Sequence, residues 1–81
     1  MKIIAIAEDT PGAGNDDFAP HLDAEARRVW ELQQEGVIRE MYFRADRPDA
    51  VIVLECANLD AARAALDTLP LVREGLIAFS L

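Results

Sequence analysis

Residues 37–56 read Val-Ile-Arg-Glu-Met-Tyr-Phe-Arg-Ala-Asp-Arg-Pro-Asp-Ala-Val-Ile-Val-Leu-Glu-Cys, and the architecture follows from how the two ends of this segment pair. Side chains of an extended chain alternate between faces. Val37, Arg39, Met41 and Phe43 therefore share one side, and Ile38, Glu40, Tyr42 and Arg44 the other. Residues 45–49 carry turn chemistry, and residues 50–56 form a β-branched run. Two strands so closely joined make an antiparallel hairpin. A register that sets Phe43 against Val51 and Met41 against Val53 brings Arg39 opposite Glu55, a favourable cross-strand charge pair.

On the C-terminal side, Asn58 is suited to cap a helix over residues 59–69, with Ala62, Ala65, Leu66 and Leu69 on its apolar side. Pro70 is expected to end it, and residues 75–81 read as a last strand. On the N-terminal side, residues 2–8 are an isoleucine-rich strand and residues 10–17 a loop. A helix is expected to begin between Asp17 and Pro20 and to run to about Glu35, stopping at Gly36. Leu22, Ala26, Val29 and Gln33 fall in one narrow arc of it, flanked by Trp30 and Leu32. The order βαββαβ places the chain in the α+β class. It predicts a single ferredoxin-like domain over residues 1–81, a four-stranded antiparallel sheet with two helices on one face. The open face is expected to carry Ile38, Tyr42, Ile52 and Leu54, too apolar to sit in water.

The chain has 81 residues, and a core of that size supplies only about 3–5 kcal/mol of net stability. One cysteine, Cys56, excludes an internal disulfide, and one histidine, His21, excludes zinc-finger spacing. A second copy laid against the open face is the expected supplement, making a homodimer or larger homo-oligomer. Fifteen acidic side chains against eight basic ones give a net charge of −7, which disfavours nucleic acid and anionic membrane as partners. No export signal is evident, so a cytoplasmic location is expected.

The segment ELQQEGVIREMYFRADRPDAVIVLE (31–55), a short helix, and LDTLPLVREGLIAF (66–79) together resemble the muconolactone isomerase-like family of the dimeric α/β-barrel superfamily. The pieces that carry the resemblance are Glu31-Leu32 and Gly36 before the second strand, Arg39 within it, and Leu69-Pro70-Leu71 before the last strand. The resemblance implies two sheets closing into a barrel across a homodimer, and a small-molecule pocket between sheet and helices. It further implies action on a small organic acid or lactone.

Two clusters can carry such chemistry. Glu40, Tyr42 and Arg44 share one strand face. Under a partner sheet, Glu40 is the expected base, Tyr42 the donor to a developing enolate, and Arg44 or Arg39 a bidentate grip on a substrate carboxylate. The alternative is a set of structural contacts across the dimer interface. His21 and Glu25, at i and i+4, are the second cluster, either a tunable acid/base pair at the pocket rim or a plain helix-edge ion pair. Trp30 and Ile38 are further candidate ligand contacts, with core or interface packing as the other reading of Trp30. No third ligand joins His21 and Glu25, so no metal is expected. Gly12-Ala13-Gly14 is followed by Asp17 where a dinucleotide loop needs its third glycine. The functional expectation is a cofactor-free proton-shift isomerase. The alternative is a binding or dimerisation module without turnover.

Overall fold

The first strand, β1 (Lys2–Asp9), buries Ile3, Ala5 and Ala7 and exposes Lys2, Ile4 and Ile6, the two-residue alternation of a sheet covered on one face only. The computed structural model describes residues 1–47 and 49–81; Pro48, in the expected hairpin turn, lies outside the described residues. After β1 come α1 (Asn15–Phe18), a 3₁₀ turn (Ala19–His21), α2 (Leu22–Gln34), β2 (Ile38–Phe43), β3 (Ala50–Glu55), α3 (Leu59–Leu66), α4 (Pro70–Arg73) and β4 (Ile77–Ser80). The four strands make one antiparallel sheet in the order β2-β3-β1-β4. Leu32 of α2, Ala62 and Leu66 of α3, and Leu69 share a single buried cluster with Ile3, Ala5, Ile38, Ile52, Leu54 and Phe79. The helices therefore lie on one face. This is a small α+β domain, compatible with a ferredoxin-like sandwich.

Both crossovers are helical, and both break where proline enters. The single helix expected up to Glu35 begins earlier, at Asn15, where the Asp17 carboxylate accepts the Gly14 N–H at 2.8 Å. It is then interrupted at Ala19–His21, because Pro20 has no N–H to continue the ladder. Asn58 caps α3 as expected, its Oδ1 accepting from the Ala61 N–H at 2.8 Å. Pro70 does not end that helix. α3 stops at Leu66, and Pro70 opens α4, at the first-turn position where its missing N–H costs nothing.

The segments entering β2 and β4 are near-copies, Glu35-Gly36-Val37-Ile38 and Glu74-Gly75-Leu76-Ile77. Gly36 and Gly75 have φ of 79° and 72°, left-handed values that favour glycine. In each, the next N–H reaches back to the preceding helix, Val37 to the Leu32 carbonyl and Leu76 to the Leu71 carbonyl, both at 2.9 Å. These are paired Schellman turns, and they aim both strands into the sheet.

The hairpin forms, but its register differs from the expected one. Phe43 faces Ala50, Met41 faces Ile52 and Tyr42 faces Val51, while Ile38 faces Leu54. A bulge between Ile38 and Glu40 leaves Arg39 without a cross-strand partner. Ile38 thus points to the helices together with Met41 and Phe43, and Ile38, Ile52 and Leu54 are buried in the core rather than on the open face. Arg39 does not meet Glu55. Its Nε donates to the Gly36 carbonyl at 2.6 Å, and Glu55 lies 3.5 Å from the N-terminal ammonium. The open face keeps Tyr42, as expected, and presents Ile4, Ile6, Val51 and Val53 beside it, with Ile4 58% and Tyr42 55% exposed.

Ile52→Asp buries an unpaired carboxylate among core side chains and is expected to unfold the domain, whereas Ile4→Asp leaves the fold intact. Circular dichroism and urea denaturation of the two variants check it. Two folded variants of equal midpoint would contradict the register.

Candidate functional site

A cavity of about 580 Å³ lies between α2 and the helix-facing side of the sheet, a size suited to a small organic molecule. Its floor is set by small side chains. Ala7 of β1 and Ala50 of β3 leave space that larger residues would fill, with Ile52, Phe79 and Ile77 around them. The roof is the α2 arc of Leu22, Ala26, Val29 and Gln33. Met41 and Phe43 reach the cavity because the bulge turns them inward, and Phe43, 67% exposed, stands at the opening. Phe18 of α1 and Leu71 of α4 complete the walls.

The polar groups on this lining are few. Glu25 of α2 is half-buried, and its Oε1 accepts the Leu71 N–H at 3.0 Å. Burial raises its pKa above the ordinary carboxylate range, and the Leu71 hydrogen bond opposes that only in part. Asn15 and Gln33 contribute carboxamides, and Asp9 and Asp49 contribute carboxylates. Asp49 is only 7% exposed and is ion-paired with Arg47, which also lies 3.9 Å from Glu8. A smaller hollow of about 310 Å³, lined by Glu8, Asp9, Arg47 and Asp49, shares Asp9 and Asp49 with the cavity, and the exposed Asp9 stands where the two meet.

Of the residues expected from sequence, the structure places Glu25 in this cavity and the others elsewhere. His21, half-buried, sits at the N-terminus of α2; the groups that shift Glu25 are burial and Leu71, not His21. Glu40 and Tyr42 do come together, the Tyr42 hydroxyl donating to the Glu40 carboxylate, but on the exposed open face. That bond, the negative charge of Glu40 and some desolvation push the Tyr42 pKa upward. Arg44 makes a bidentate pair with Asp46, at 2.9 and 2.7 Å, which holds the Asp46 carboxyl below its usual range. Arg39 is spent on the Gly36 carbonyl, Trp30 is 59% exposed on the outer side of α2, and Ile38 is buried in the core.

Met41 and Phe43 lie on the helix-facing side, as the strand alternation predicts, whereas Asp9, Asn15 and Asp49 are lining residues that the sequence does not single out. One signal was present. Gln33 lies in the same helical arc as Leu22, Ala26 and Val29, a carboxamide where packing alone wants an apolar residue. Asp9 continues the inward series Ile3, Ala5, Ala7 and breaks it in the same way. Among the described residues, no three His, Cys, Asp or Glu side chains are placed to hold a metal ion. No helix among them is long and apolar enough to cross a membrane.

No protein-family model matches the chain, and a search of curated proteins finds no match either.

The raised pKa of Glu25 makes a signed prediction. Between the ordinary glutamate pKa and the raised one, the native state holds the Glu25 proton more firmly than the unfolded chain does. The stability this contributes is fully present below the ordinary value and is lost as pH rises through the raised one. Glu25→Gln keeps an acceptor for the Leu71 N–H and removes the titration. The wild-type denaturation midpoint, less that of the variant, is therefore expected to fall as pH rises through this interval. A constant difference would mean that Glu25 is not desolvated.

Proposed function

We propose that the cavity binds a small cyclic organic molecule and that Glu25 moves a proton on it, a cofactor-free isomerisation of the kind implied by the muconolactone isomerase-like resemblance. The observation that carries this reading is the placement of one half-buried carboxylate, with its pKa raised by burial, on the wall of a largely apolar cavity. As carboxylate, Glu25 takes a proton from carbon next to a carbonyl. The C–H electron pair moves onto the carbonyl oxygen as an enolate, and the proton returns at another carbon of the conjugated system. A higher pKa makes the carboxylate a stronger base and leaves its acid competent to give the proton back. The Gln33 and Asn15 carboxamides are the donors the lining offers to enolate oxygen.

The assembly belongs to the same proposal. Ile4, Ile6, Val51, Val53 and Tyr42 form an apolar centre on the open face, with Glu8, Glu40, Lys2 and Ser80 around it. A second copy laid sheet to sheet removes this surface from water and closes the barrel of a ferredoxin-like dimer. Light scattering at micromolar concentration is expected to give twice the chain mass, and Ile4→Asp to give the folded monomer. A wild-type monomer would leave the open face without this cover.

The second reading, a binding module without turnover, draws on one contact. Glu25 holds the first turn of α4 through Leu71, a purely structural use of the same carboxylate. Incubation with a panel of small lactones and cyclic enones in deuterium oxide separates the two. Catalysis puts deuterium at the carbon that receives the proton, or back at the carbon next to the carbonyl when the enolate is reprotonated there, and Glu25→Gln abolishes that incorporation while keeping the ligand's stabilising effect on melting. Stabilisation by a ligand with no deuterium incorporated by the wild type favours the binding module.

A further inference from the structure

We infer that the cavity accepts uncharged ring compounds and rejects carboxylates, and that Asp9 at its mouth sets this selection. The inference rests on reading the cavity as a ligand site and deepens that reading by naming the ligand class.

The charged side chains on the lining are all carboxylates: Asp9, Glu25 and Asp49. Among the described residues, Arg47 is the cation of the adjoining hollow, and it is engaged by Asp49 and Glu8. The arginines expected from sequence to grip a substrate carboxylate are both outside the lining. Arg39 donates to the Gly36 carbonyl, and Arg44 is held bidentate by Asp46. A ligand carboxylate entering this space would lose water, find no free guanidinium among the described residues of the lining, and approach the carboxyl groups of Asp9 and Glu25. A lactone, ketone or amide meets none of these penalties and can accept from Gln33 or Asn15.

Asp9 is the informative member. It occupies the inward-facing position after Ile3, Ala5 and Ala7, opposite Ile77 of β4, where the alternation calls for an apolar side chain. Unlike Asp49, it has no arginine bound to it among the described residues. Its charge therefore acts on whatever enters the opening.

Two probes with one ring system and different charge decide this: 2-naphthamide and 2-naphthoate, titrated at neutral pH into the full chain. The NMR shifts of the Ala7 and Val29 amides locate binding in the cavity. The amide is expected to bind at least tenfold more tightly than the carboxylate. Asp9→Asn is expected to strengthen naphthoate binding severalfold and so to narrow the ratio between the two probes. Naphthoate binding as tightly as naphthamide overturns the selection while leaving the ligand cavity intact. An unchanged ratio in Asp9→Asn overturns the role of Asp9. If neither probe moves Ala7 or Val29, the ligand cavity itself fails and this inference with it.

Discussion

Between Ile38 and Glu40 the β2–β3 ladder shifts by one residue, and Arg39 is left unpaired across the sheet. The rest of the site depends on that extra residue. Without it, strict alternation from Ile38 would send Met41 and Phe43 to the open face and bring Glu40 and Tyr42 inward. With it, Ile38 joins the buried cluster, Met41 and Phe43 turn toward α2, and the Glu40–Tyr42 pair faces out. The cost of the broken ladder is limited by the Arg39 Nε, which caps the Gly36 carbonyl beside it. One inserted residue thus separates the lining of the cavity from the apolar face that a second copy is proposed to cover.

The cavity is a packing choice with a cost of its own. Ala5 and Ala7 stand in the middle of β1, next to the fully buried Ile52 and Leu54 of β3. Longer side chains at Ala7 and Ala50 would bury more apolar surface and strengthen a core that is small to begin with. Leaving the space open fits a site better than it fits a scaffold. Glu25 is consistent with this view, because a carboxylate kept half out of water is unfavourable for folding and favourable for acid–base work. Its hydrogen bond to Leu71 ties the same group to α4, so the roof and the end wall of the cavity are joined through the residue proposed to react.

Local chemistry was legible in the sequence, and long-range register was not. Asn58, Gly36 and the Ile3–Ala5–Ala7 alternation act through neighbours within a few positions, so their roles could be read directly. Pro20 and Pro70 were legible as interruptions, but whether proline ends a helix or starts one depends on which flanking segment finds partners. The bulge left no mark in the pattern. Both registers of residues 37–44 give a face with apolar side chains, and the choice is made by packing of Ile38 against the helices. The expected pairing of Phe43 with Val51, where the structure pairs it with Ala50, is what moved Ile52 and Leu54 to the wrong side; Met41, Phe43, Glu40 and Tyr42 keep the faces that alternation predicts. Gln33 and Asp9 carried the better signal, as polar residues in positions that packing would make apolar.

The central claim is that Glu25 is a desolvated, proton-exchanging group on a ligand cavity. The most direct measurement is a ¹³C NMR titration of the Glu25 side-chain carboxyl in the folded protein, assigned by comparison with Glu25→Gln. A midpoint clearly above the range of an ordinary glutamate, moving further when a neutral ring compound fills the cavity, is the predicted result. A midpoint at or below that range would contradict it and leave Glu25 as a structural partner of Leu71 alone.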